Sequence, residues 1–216
     1  MKTNSQADIY QLKVMMLGIS PTIWRRILIR RDSTITDLHY ILQILMGWED
    51  YYLHQFIIRG KKYGVSREYG VWFDDESDRI FLNDFQFRIN EKFIYEYNFI
   101  SNWRIQIRLE KILPYNDRTP YPVCICSSRQ APFEDCQGPW AFMELRHKYS
   151  KWHILNQLFN LIEPNENAND EDGEEITDIE YWLNVDQFDR HLANKRLRNY
   201  SLGLNHWDME ATEGEK

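Results

Sequence analysis

Few residues in this sequence combine a type and a spacing that could do chemistry. Cys124, Cys126 and Cys136 are thiols that could ligate zinc, with His147 or His153 as a fourth ligand. A C-x-C pair is closer than the two to four residues usual for structural zinc, and a lone third cysteine leaves the set incomplete. Reduced thiols and no metal are the expectation. His54, Glu134 and Asp135 supply an imidazole and two carboxylates, the groups that general acid–base hydrolysis needs. Trp24-Arg25-Arg26 and Arg30-Arg31 form the densest basic cluster. On a strand, neighbours in each pair point to opposite faces, so Arg26 and Arg30 would share one stripe, suited to phosphate or to an acidic partner. Neither a nucleophile elbow nor a phosphate-cradling glycine pattern is present, and no cofactor is implied.

The elements that must position these groups follow from patterning. Residues 9–17 and 23–29 alternate apolar and polar positions around Gly18-Ile19-Ser20-Pro21, which predicts a strand pair. Thr34 and its neighbours can cap a helix carrying Ile35, Leu38, Ile41, Leu42 and Leu45 at helical spacing and closed by Gly47. Strands are expected at 54–58, 93–99 and 103–113, and a surface loop at 60–78. From Pro114 to Pro139 the chain holds five of its seven prolines, which argues for an ordered, irregular excursion rather than a helix. Helices are expected again over 140–159 and 186–200. The element order lacks strict β/α alternation, so the fold class is α+β: an antiparallel sheet with helices packed mainly on one face, plus the Pro-rich excursion. The expected organisation is a domain over 1–162, an acidic mobile linker over 163–180 and a C-terminal helical appendage over 181–216, packing on the main domain.

Composition bounds the function. The chain has 216 residues, 43% hydrophobic, with a net charge of −7. That excludes wholesale disorder and a surface coated throughout by nucleic acid. No membrane-length apolar run or secretory leader is seen, so a cytoplasmic protein is expected. The aromatic content of 15%, with eight Trp, fits a large core or an interaction surface.

Gly18-Ile19-Ser20-Pro21-Thr22-Ile23-Trp24-Arg25-Arg26, Asp37-Leu38-His39 through Met46-Gly47-Trp48-Glu49-Asp50 to Leu53-His54-Gln55-Phe56, and Pro132-Phe133-Glu134-Asp135-Cys136-Gln137-Gly138-Pro139-Trp140 resemble the Ri-plasmid ORF-3-like family. Its members are also labelled insertion-element passenger, TnpR-like proteins. The resemblance implies an α+β fold, association with mobile genetic elements, and no established activity. The family favours a second His where this chain has Tyr52, and an Asp-Phe-Gly-Asp-Ser-Trp-x-His pattern where it has Asn98, Ser101 and Ile105. A metal site at those positions could not form here. The resulting expectation is a noncatalytic binding or adaptor protein of a mobile element or defence-related locus. Its aromatic groove, between sheet and excursion, would be lined by Trp24, Arg26, Trp48, Tyr97, Trp103 and Trp140, with His54 as a further polar contact. Another protein is the expected partner, with nucleic acid an alternative through the basic stripe and no membrane. The competing readings are a hydrolase or nuclease-like enzyme using His54, Glu134 and Asp135, and a nucleic-acid accessory factor.

Overall fold

The computed structural model describes residues 8–64, 75–76, 79–150, 152–156 and 179–204. Its elements are β1 (Ile9–Met16), β2 (Trp24–Arg30), α1 (Ile35–Met46), β3 (His54–Ile58), β4 (Lys61–Gly64), β5 (Asp75–Glu76), β6 (Lys92–Tyr97), β7 (Trp103–Leu113), β8 (Val123–Ser128), α2 (Pro139–Lys148) and α3 (Arg190–Ser201). The eight strands make one sheet in the order β5-β4-β3-β6-β7-β1-β2-β8. Every neighbouring pair is antiparallel except β4 with β5. The α+β expectation stands.

The first helix forms where its capping chemistry puts it. The Thr34 side chain accepts from Asp37 N, Asp37 returns the bond to Thr34 N, and Gly47 ends the helix in the left-handed region at φ 72. Its apolar stripe is buried against the inner face of the sheet, where Leu12, Val14, Ile27, Ile29, Phe56, Tyr95, Ile105 and Ile107 form the core.

Three element expectations need correction. The loop expected over 60–78 contains β4 and β5, because Tyr63 alternates into the core beneath an exposed Lys-rich start. The Pro-rich excursion contains β8, which pairs with β2 between its prolines. The helix expected over 140–159 is interrupted after Lys148 and helical again at residues 152–156, and residues 157–159 lie outside the described residues. Of the acidic segment 163–180, only Ile179 and Glu180 lie within the described residues.

The last helix begins at Arg190, four residues later than expected, capped by the Asp189 side chain. It is tied to the sheet edge by Asn194, which exchanges two hydrogen bonds with the Cys124 backbone, and to α1 by Tyr200 OH donating to Asp37 at 2.7 Å. Among the described residues, no helix is long and apolar enough to cross a membrane.

Candidate functional site: a polar seam and an open sheet face

Two regions carry polar chemistry beyond what solubility requires. The first is a seam where α1, the inner faces of β3 and β6, and residues 130–138 meet. His39 and Gln43 stand one turn apart on α1, so they share a face, and both are buried. Each reaches the Tyr95 hydroxyl on β6, His39 Nδ1 at 2.9 Å and Gln43 Nε2 at 2.8 Å. Burial keeps the Tyr95 phenol protonated, well above its ordinary range. His54, opening β3, stacks on His39 with ring centroids 3.6 Å apart and planes at 10°. Asp50 Oδ1 faces His39 Nε2 at 3.1 Å. Among the described residues, His39, Asp50 and His54 are the only group of three His, Cys, Asp or Glu whose ligating atoms lie together, all within 4.8 Å.

The other half of the seam is built on Glu134. Tyr97 OH donates to Glu134 Oε2 at 2.6 Å, and Glu49 N reaches the same oxygen at 3.3 Å. Trp103 Nε1 donates to the Glu134 backbone oxygen, Trp48 Nε1 donates to the Pro132 oxygen, and Tyr52 OH donates to Asp135. Burial pushes the Glu134 carboxyl upward, a shift its bond from Tyr97 partly offsets. Glu134 is buried and already bonded, whereas Asp135 is exposed and bonded elsewhere. His54 therefore stacks on His39 and lies tilted against Tyr95, while the two carboxylates anchor the excursion. The residues where the family metal pattern is lost lie around this anchor or in the core. Asn98 donates toward the Glu134 oxygen and accepts from Ser101 N, and Ile105 is fully buried.

The groove expected from the aromatic residues is not formed by them. Trp48, Tyr97 and Trp103 are buried, with Trp48 stacked on Tyr97 at 4.9 Å between centroids and tilted against Trp103 at 6.0 Å. Their indole N–H groups and phenol are spent on the excursion backbone and Glu134, so they hold the excursion down rather than line a groove. Trp140 is exposed on α2. The cleft that does lie beside the excursion, about 210 Å³, is lined by Arg25, Met46, Pro132, Phe133, Phe188 and Arg196 among others. None of the six expected groove residues lines it.

Trp24 and Arg26 stand elsewhere, on the outer face of the sheet. Strand alternation sends Arg25 inward, where it donates to the Leu45, Trp24 and Ser128 carbonyl oxygens and packs 3.6 Å over the Phe188 ring. Burial lowers the Arg25 pKa to about 10, which leaves it charged at neutral pH. Arg26 points outward beside Trp24. The register then places Arg26 opposite Lys13, Lys13 opposite Arg108, and Arg108 opposite Lys92. Four cations thus form one row across β2, β1, β7 and β6. Like charges directly opposite are destabilising in a sheet. Glu110 relieves part of the repulsion, accepting from Arg26 Nε at 2.6 Å, from Arg108 at 3.1 Å and from Gln11 at 2.9 Å. These bonds hold its carboxyl down to about 2. The next row carries Trp24, Met15, Gln106, Ile94, Ile57 and Lys62 in register, all at least partly exposed. Lys13 Nζ lies 5.1 Å from the Trp24 ring centroid. Sequence reasoning found Arg26 from strand parity but missed Lys13, Arg108 and Lys92, because their union depends on the order of strands in the sheet.

An α+β protein with one broad sheet, helices on its inner side and a Pro-rich excursion pinned over a buried Trp–Tyr stack is the class this architecture defines. The chain belongs to the plasmid pRiA4b ORF-3-like protein family, whose model matches residues 8–196. It is 30% identical over 141 residues to the uncharacterized protein y4hQ of Sinorhizobium fredii, a match covering 64% of this chain and 71% of that one. It is also similar to the crystal structure of MM3350 from Methanosarcina mazei, a protein of unknown function. The TM-score is 0.63 and the identity 32%, over 86% of this chain and 96% of that chain.

Proposed function

We propose that this protein is a noncatalytic binding protein whose working surface is the outer face of the sheet, and that its partner is single-stranded nucleic acid. What supports the reading is the row Arg26, Lys13, Arg108, Lys92: four side chains about 5 Å apart from strand to strand, a line of roughly 15 Å whose repulsion Glu110 relieves only in part and an anionic chain along it would relieve further. Trp24 and the apolar positions of the adjacent row offer bases a surface to stack against, as open sheets do in single-strand binders. A patch of this kind is compatible with the net charge of −7, since only the local field meets the phosphates. A role in a plasmid or other mobile-element locus belongs to the same reading.

The test is fluorescence anisotropy of a labelled oligonucleotide with the full chain. Lys13→Ala and Arg108→Ala are expected each to weaken binding about three- to tenfold at low salt, while Lys148→Ala, exposed on α2, leaves it unchanged. Equal effects from all three variants, or no binding by the unmodified protein, would overturn the reading.

A further inference from the structure

The seam between α1 and β3 holds an arrangement for which the sheet face has no use. We propose that His39, Asp50 and His54 form a site for one divalent transition-metal ion of the zinc type, bound through two imidazole nitrogens and a carboxylate oxygen. His39 Nε2 and Asp50 Oδ1 lie 3.1 Å apart, yet neither atom makes a hydrogen bond. They stand at ion-pair distance without the alignment of a hydrogen bond. Two ligands of one tetrahedral ion, each about 2.0–2.1 Å from it, stand roughly 3.3 Å apart, close to the separation of this pair.

His39 is 2% exposed, and its nitrogen is aimed at the carboxylate from inside the core. Asp50 is presented by a backbone in the left-handed region, φ 60, a conformation that Asp tolerates better than most residues. The supporting groups suit a ligand histidine. The Tyr95 hydroxyl, which accepts from Gln43 Nε2, also holds the His39 ring through Nδ1. In the tautomer protonated at Nδ1, which a metal ion at Nε2 selects, Nε2 is the unprotonated nitrogen facing Asp50. Three protein ligands is the donor count of zinc sites that keep one position open. Seating the ion requires one movement. The stacked rings are parallel, so their in-plane lone pairs do not meet, and half-buried His54 must turn while Tyr95 holds His39. The site lies on the inner side of the sheet and is independent of the nucleic-acid reading.

The experiment is calorimetric titration of the full chain with Zn²⁺, paired with Co²⁺ absorption spectra. One Zn²⁺ per chain is expected, with a raised melting temperature. Asp50→Asn and His54→Gln, which alter partly exposed side chains, are each expected to weaken binding by about 100-fold or more, while Cys126→Ser leaves it unchanged. The Co²⁺ spectrum should show d–d bands without a thiolate charge-transfer band. Absence of stoichiometric binding would leave His39 and Asp50 as a plain ion pair and overturn the proposal. A thiolate band, or binding that survives both ligand substitutions, would do the same. The wild-type Co²⁺ spectrum decides even if a variant fails to fold.

Discussion

Glu110 is the residue on which the outer face depends, because it is the one carboxylate bonded to two members of the cation row. Its folded pKa of about 2 lies below the ordinary 4.5, so its stabilisation is complete above about pH 4.5 and is lost as pH falls toward 2. Glu110→Gln should therefore destabilise the protein at pH 7 by about 2 kcal/mol, the full shift being discounted for solvent screening, and by little near pH 2. Urea unfolding at the two pH values checks this. A variant equally destabilised at both would show that packing, not charge, is what Glu110 supplies. The same variant removes a negative charge from beside the row, so oligonucleotide binding should tighten in the folded protein. At the other site, Tyr97→Phe leaves buried Glu134 without its shortest hydrogen bond and should cost about 2 kcal/mol of stability, measured by thermal or urea melts.

At the scale of elements, the excursion and α2 join at Gly138, whose φ of 97 is open to glycine but strained for other residues. A Cβ there would meet the Ser101 carbonyl oxygen at 2.3 Å, so backbone would have to move. Gly138→Ala is expected to cost about 2–4 kcal/mol and to loosen residues 130–138, readable as a drop in melting temperature and faster hydrogen exchange of the Trp103 indole N–H. An unchanged melt would mean the excursion is not seated against the β6–β7 turn. Much of this scale was legible in sequence. The first helix, its Thr34 cap and Gly47 stop, the third strand and the opposite facing of Arg25 and Arg26 follow from local chemistry and parity. β8 was not legible, since it lies among prolines and makes sense only as the partner of β2. The aromatic groove misled for a related reason. Trp48, Tyr97 and Trp103 have polar edges suited to an interface, but their bonds to Pro132 and Glu134 are set by tertiary contacts of 31 to 84 residues' separation. The grouping of His39 with Asp50 and His54 is not legible in sequence because a helix, a loop and a strand each contribute one residue.

At the scale of the whole molecule, the sheet separates two kinds of surface. Its inner side is a single apolar core spanned by α1, and its outer side carries a basic row on a chain that is acidic overall. Charge so confined should bind anionic chains locally, by a small and countable number of phosphate contacts, rather than coat them. The salt dependence of oligonucleotide binding measures that number directly. For single strands, log K falls with log salt by about 0.7 per phosphate neutralised, so a row of four cations predicts a slope of roughly −3, and Lys13→Ala should reduce it by about 0.7. A slope near zero, or one that Lys13→Ala leaves unchanged, would contradict the claim that this row is the working surface.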